Sequence, residues 1–155
     1  MANRDRKLDA GQVTEALQDA LIEAGFRDPA VLSLPNWRSS LYGGLPAVFH
    51  AFPPTWLREQ QKIRQKRVVT KLYVLPEAVD HSEEIRNLTR LSHPNIVRFY
   101  GEMTLEARVG GGKRNVAALV REWVPGQNIS KFIASVGDSF ALADYRRILA
   151  RTAAA

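Results

Sequence analysis

Residues 83 to 101, EEIRNLTRLSHPNIVRFYG, constrain the fold of this chain more than any other stretch. A helical pattern there ends in His-Pro-Asn and passes straight into alternating β-type residues, so a helix must turn back towards a strand. Glu84, Leu88 and Leu91 recur at i, i+4 and i+7 on one helix face. Asp80 or Ser82 can cap that helix, and Glu83 and Glu84 fall in its first turn, where the macrodipole favours negative charge. Pro94 forces it to stop, because His93 is pushed towards extended geometry by the ring that follows. Ile96, Val97 and Phe99 then read as a strand.

The strand that precedes this unit carries an odd residue. KIRQKRVVTKLYVL is rich in β-branched and aromatic residues and runs to Pro76, which predicts one or two strands. Alternation sets Val69, Lys71 and Tyr73 on one face and Val68, Thr70 and Leu72 on the other. Taken alone, Lys71 reads as a residue of an edge strand whose ammonium snorkels into water.

Downstream, the glycines of GGGKRN suit a loop between strands. The run is not a phosphate loop, since Ala107 stands where the first glycine of that pattern is required. NVAALVREWV is a strand closed by Pro125-Gly126, and short helices fit NISKFIAS and ALADYRRILARTAAA.

Upstream, Val13, Ala16, Leu17, Ala20, Leu21 and Ala24 keep helical spacing over residues 9 to 24, and Gly25 is a natural stop. Residues 27 to 56 hold five prolines and Gly43-Gly44, so they read as an irregular connector with at most one short strand. The expected organisation is therefore residues 1–56 as an N-terminal helix and connector, followed by a domain over 57–155.

Composition narrows the function classes. With 155 residues, 45% hydrophobic and 25% charged, the chain has the balance of a single globular domain. No apolar run approaches the roughly 20 residues that span a bilayer, and the N-terminus lacks the apolar block of a secretory signal, so no membrane span and an intracellular, cytoplasmic location are expected. Cysteine is absent and His50, His81 and His93 show no ligand spacing, so neither disulfides nor a metal site is expected. The net charge of +6 invites a nucleic-acid reading, centred on REQQKIRQKR from Arg58 to Arg67. That run holds no aromatic residue for base stacking, so a solvated strand or turn is expected and nucleic acid is not.

Taken in order, VVTK (Val68 to Lys71), Glu84, HPNIV (His93 to Val97) and LVREWVPGQNISKFI resemble the N-terminal lobe of a protein kinase. The resemblance runs from about residue 62 to the end of the chain. It implies an α+β fold, with a mainly antiparallel sheet, one helix carrying Glu84, and the first helix of a second lobe. It further implies that Glu84 pairs with Lys71, which holds the α- and β-phosphates of ATP. Val69 would touch adenine, the backbone of Glu122 and Val124 would meet its edge, and Leu88 and Phe99 would stack in a regulatory spine. Lys71 and Glu84 are thus the expected catalytic-site residues, and Val69, Lys71, Glu122 and Val124 the expected nucleotide contacts, with no metal ligand among them.

Three features depart from that pattern. No G-x-G-x-x-G precedes Lys71, and Gly43-Gly44 lies too far upstream to replace it. Arg121 occupies the position beside the hinge where an apolar or small residue is usual. Neither H-R-D nor D-F-G is present, so the chain as written is expected to lack the catalytic base and the magnesium ligands. Leu142, Tyr145, Ile148 and Leu149 would then lack the second lobe they normally pack against, and their helix is expected to be refolded onto the sheet or poorly ordered. The resemblance therefore implies a fragment of a protein kinase that phosphorylates Ser, Thr or Tyr of a protein substrate when complete, with magnesium entering only then. The alternative is a pseudokinase or degenerate lobe that regulates a protein partner, to which the N-terminal helix could add a docking element.

Overall fold

The computed structural model describes residues 10–34, 46–74, 82–94, 96–126, 129–136 and 146. Helix α1, Ala10–Glu23, forms where the apolar spacing predicts it, and it buries Val13, Ala16, Leu17, Ala20 and Leu21. Its end is closed by Gly25 and Phe26, whose N–H groups donate to the carbonyls of Ile22 and Leu21.

Five strands follow: β1 (Arg27–Ser33), β2 (Ala47–Phe52), β3 (Val68–Val74), β4 (Phe99–Val109) and β5 (Gly112–Glu122). They form one antiparallel sheet in the order β1-β2-β3-β5-β4. Lys71 therefore lies on the central strand, opposite Val48 on one side and Leu119 on the other. It is not on an edge, as the isolated residue suggested. Helices α2 (Thr55–Gln61) and α3 (Ser82–Arg90) occupy connections between strands, and α4 (Ile129–Val136) follows β5. The architecture is α+β, as expected.

Residues 27–56 depart from the expected irregular connector, since β1 and β2 belong to the sheet and β2 hydrogen-bonds to β3 across residue 56. Proline misleads here for a physical reason. Pro29 sits in β1, an edge strand paired only with β2, where a missing N–H need not cost a ladder bond. Likewise Pro53-Pro54 reads as a breaker, yet Pro54 (φ −61°, ψ 150°) stands directly before the first turn of α2, where a helix needs no N–H from it. Consequently the run from Arg58 opens in a helix rather than a strand, and Leu57 and Ile63 are buried in the core.

The hairpin between β4 and β5 turns on Gly110 and Gly111, both with positive φ (64° and 82°), which a two-residue turn of the hairpin-favouring hand requires. A bulge at the other end of β4, between Phe99 and Gly101, reverses which face the strand offers. The strand begins at Phe99, so the expected Ile96 and Val97 belong to the turn before it.

The core is one-sided. Beneath α1, the side chains of Phe49, Val68, Leu72, Leu105, Val116 and Val120 join the helix's apolar stripe in one buried cluster. On the opposite face, among the described residues, only Tyr73, Ala117 and Leu119 are buried together, with Ile85 and Phe99 packed against them. The expected cap at Asp80, the Gly43-Gly44 pair, and Leu142, Tyr145, Ile148 and Leu149 lie outside the described residues. No helix among the described residues is long and apolar enough to cross a membrane.

Candidate functional site

Strand alternation puts Lys71 on the open face of the sheet, away from α1. Its neighbours on that face follow from the register: Val69 and Tyr73 on β3, Val48 and His50 on β2, and Leu119 and Arg121 on β5. Helix α3 lies over this face through Ile85 and brings Glu84 down from its first turn. The Lys71 ammonium lies 2.5 Å from Glu84 Oε1, and the Tyr73 hydroxyl donates to Glu84 Oε2 at 2.8 Å. One carboxylate thus holds two partners from β3.

The pair is shielded but still open to solvent, with the Lys71 side chain 19% exposed and that of Glu84 30% exposed. Burial works to lower the Lys71 pKa, yet the hydrogen bonds with Glu84 and Tyr73 outweigh it and hold the ammonium above its ordinary value. Burial likewise works to raise the Glu84 pKa, but Lys71 and Tyr73, with a contribution from the Arg121 charge, bring it below the usual carboxylate range. Tyr73 is pushed up, chiefly by burial. All three therefore stay in their ordinary charge states at neutral pH.

Arg121 stands opposite Val69 and Phe99. With Lys71 it puts two cations on this face, where Glu84 comes from α3 and Glu102 from β4, opposite Leu119.

The remaining expected site residues lie where β5 ends. Val69 is 8% exposed. Glu122 closes β5 opposite Val68, while Val124 follows the strand and is exposed. The Glu122 side chain is engaged elsewhere: its oxygens accept from Gln65 Nε2 at 2.8 Å and from the Arg98 N–H at 3.0 Å. The Glu122 N–H is engaged as well, donating to the Arg98 carbonyl at 2.8 Å. Phe99 joins Tyr73 and Leu119 on the open face, whereas Leu88 is half-buried outside that cluster.

Two contributors had no assigned role in the sequence reading. Tyr73 was visible as a same-face neighbour of Lys71, but nothing in the pattern gave its hydroxyl a partner. His50 is the cross-strand neighbour of Val69, and its ring stacks on Trp123 at 5.0 Å between centroids. Arg67 Nη1 lies 3.1 Å from His50 Nδ1, and its other nitrogen pairs with Asp28. Burial and the Arg67 charge lower the His50 pKa, so the imidazole is neutral and Nδ1 accepts from the guanidinium. This contact ties β1, β2 and the residues after β5 together at one end of the site.

Among the described residues no group of three histidine, cysteine or acidic side chains is placed to hold a metal ion. No family model matches the chain, and no curated protein matches it.

Proposed function

We propose that the chain is the nucleotide-binding lobe of a protein-kinase-like phosphotransferase, with ATP as its ligand. The observation that carries this reading is the Lys71–Glu84 contact of 2.5 Å, made between a central strand and the first turn of the helix before HPNIV. A half-buried ammonium needs a carboxylate to offset its lost hydration, and a phosphate beside it adds a second anion to the same cation. Arg121 increases the positive charge available to that phosphate. The hinge backbone at Glu122 and Val124 would meet the adenine edge, with Val69 beneath the ring. In a kinase with its catalytic and metal-binding loops, γ-phosphate transfer to a protein hydroxyl would follow, and magnesium would be held by those loops.

A second reading, a lobe that regulates a protein partner, is favoured by one observation. The His50–Trp123 stack joins the cross-strand partner of Val69 to the residue between Glu122 and Val124, the positions that the nucleotide reading gives to adenine.

Thermal denaturation in millimolar MgATP separates the two. The nucleotide-binding reading expects a rise in Tm for the wild type, and no rise for Lys71→Met. An unchanged wild-type Tm overturns it in favour of the regulatory lobe, whose Trp123→Ala variant would then regain the response.

A further inference from the structure

We propose that a second site, a groove of about 670 Å³ at the end of the sheet where β4 begins and β5 closes, binds an acidic polypeptide segment. It is lined by residues from the turn after α2, from the α3–β4 connection and from the ends of β4 and β5. Its chemistry begins with Lys62.

Lys62 ends α2 in the left-handed region, with φ 52° and ψ 45°, and its N–H donates to carbonyls of the last turn. Glycine or asparagine is the ordinary occupant of such a position, because a side chain there crowds the following carbonyl. A lysine held in a backbone conformation that disfavours it is a reason to ask what its side chain does. Together with Arg64 and Arg98 it lines the groove.

None of these three cations makes an ion pair among the described residues. The single carboxylate in the lining, Glu122, has both oxygens engaged by Gln65 and by the Arg98 backbone. Gln65 is itself fixed, since its Oε1 accepts from the Tyr100 hydroxyl at 2.8 Å. The wall is therefore satisfied internally; the Arg98 guanidinium lies over the Tyr100 ring, 5.6 Å from its centroid, and the Lys62 and Arg64 heads remain for an external anion. Three positive charges against one negative select an anionic ligand, and guanidinium forks suit carboxylates.

The groove is too large for a single small ion to fill. It also offers little for bases to stack on: Tyr100, its one phenylalanine, tyrosine or tryptophan, is only 3% exposed, which leaves the His93 ring alone. Carboxylate side chains spaced along a peptide match both facts.

The test uses fluorescence anisotropy of the full chain with a fluorescein-labelled peptide of alternating aspartate and glutamate. Saturable binding that weakens with salt is expected. Lys62→Gly relieves the left-handed backbone, so its Tm should hold or rise while its Kd weakens roughly tenfold, the value of one charge-assisted contact. Arg64→Glu should abolish binding, and Lys71→Met should leave it unchanged. Binding insensitive to Lys62→Gly and Arg64→Glu, or lost on Lys71→Met, overturns the assignment. So does a single-stranded oligonucleotide that binds more tightly than the peptide with the same dependence on Lys62 and Arg64.

Discussion

Helices α1 and α3 lie on opposite faces of one sheet and are held there by different physics. Five side chains of α1 are buried, and beneath it the sheet presents an almost continuous apolar surface. α3 has an acidic first turn and docks through half-buried Ile85 and the two hydrogen bonds of Glu84. Hydrophobic burial is non-directional, so the α1 face supplies stability without fixing any one atom. A carboxylate gripped by an ammonium and a phenol fixes α3 through specific atoms at little net gain in stability. One face serves as scaffold, and the other positions charge.

The sharpest way to break this comparison is to truncate one apolar side chain on each helix. Leu17 is fully buried, so Leu17→Ala should cost about 2–5 kcal/mol. Ile85 is half-buried, so Ile85→Ala should cost about 1 kcal/mol, roughly half the value of a full burial. Urea denaturation measures both through the midpoint at constant m. Equal losses would mean that α3 is as structural as α1.

A second substitution asks whether the α1 face is as apolar as its neighbours imply. Thr70 faces α1 at 0% exposure, and its Oγ1 has no hydrogen-bond partner among the described residues. Burying a hydroxyl without a partner costs free energy that a methyl group of the same shape would not. Thr70→Val should therefore stabilise the protein by about 1 kcal/mol, seen as a rise in Tm. A loss of that size would instead place a hydrogen-bonded polar group inside the scaffold.

The two faces also differed in how far the sequence exposed them. The α1 stripe follows from helical spacing alone, since five of the six apolar positions it names are buried. The alternation in β3 assigned Val69, Lys71 and Tyr73 to one face for the same reason: a period of two leaves no choice once the strand exists. What periodicity could not supply was the partner. Lys71 and Glu84 are joined by the packing of α3 on the sheet, and only the resemblance of VVTK and HPNIV to a known lobe suggested it. β1, β2 and α2 were hidden by Pro29, Pro53 and Pro54, each at a place where proline's missing N–H does no harm. The basic groove was hidden more deeply. It needs β4 to lie beside β5 and the turn after α2 to reach the same end, which no local pattern states.

The smallest expected effect concerns the ion pair itself and sharpens the claim that it positions α3 more than it stabilises the fold. The Glu84 pKa is lowered below its reference value of 4.5 in the folded protein. The folded state therefore binds fewer protons than the unfolded chain in the acid range, and stability falls as pH falls. Its contribution is fully present above about pH 4.5 and is lost as pH drops through the lowered folded value. Partial exposure of both side chains limits the amount to about 1 kcal/mol or less. Thermal melts of wild type and Glu84→Gln from pH 7 to pH 3 isolate it, because the glutamine variant lacks this proton uptake. The two Tm curves should differ most at neutral pH and converge in acid, while Leu17→Ala shifts the whole curve by a constant amount. Parallel curves for wild type and Glu84→Gln would mean that Glu84 holds α3 without any linkage to its charge, leaving the Tyr73 hydrogen bond to carry the contact.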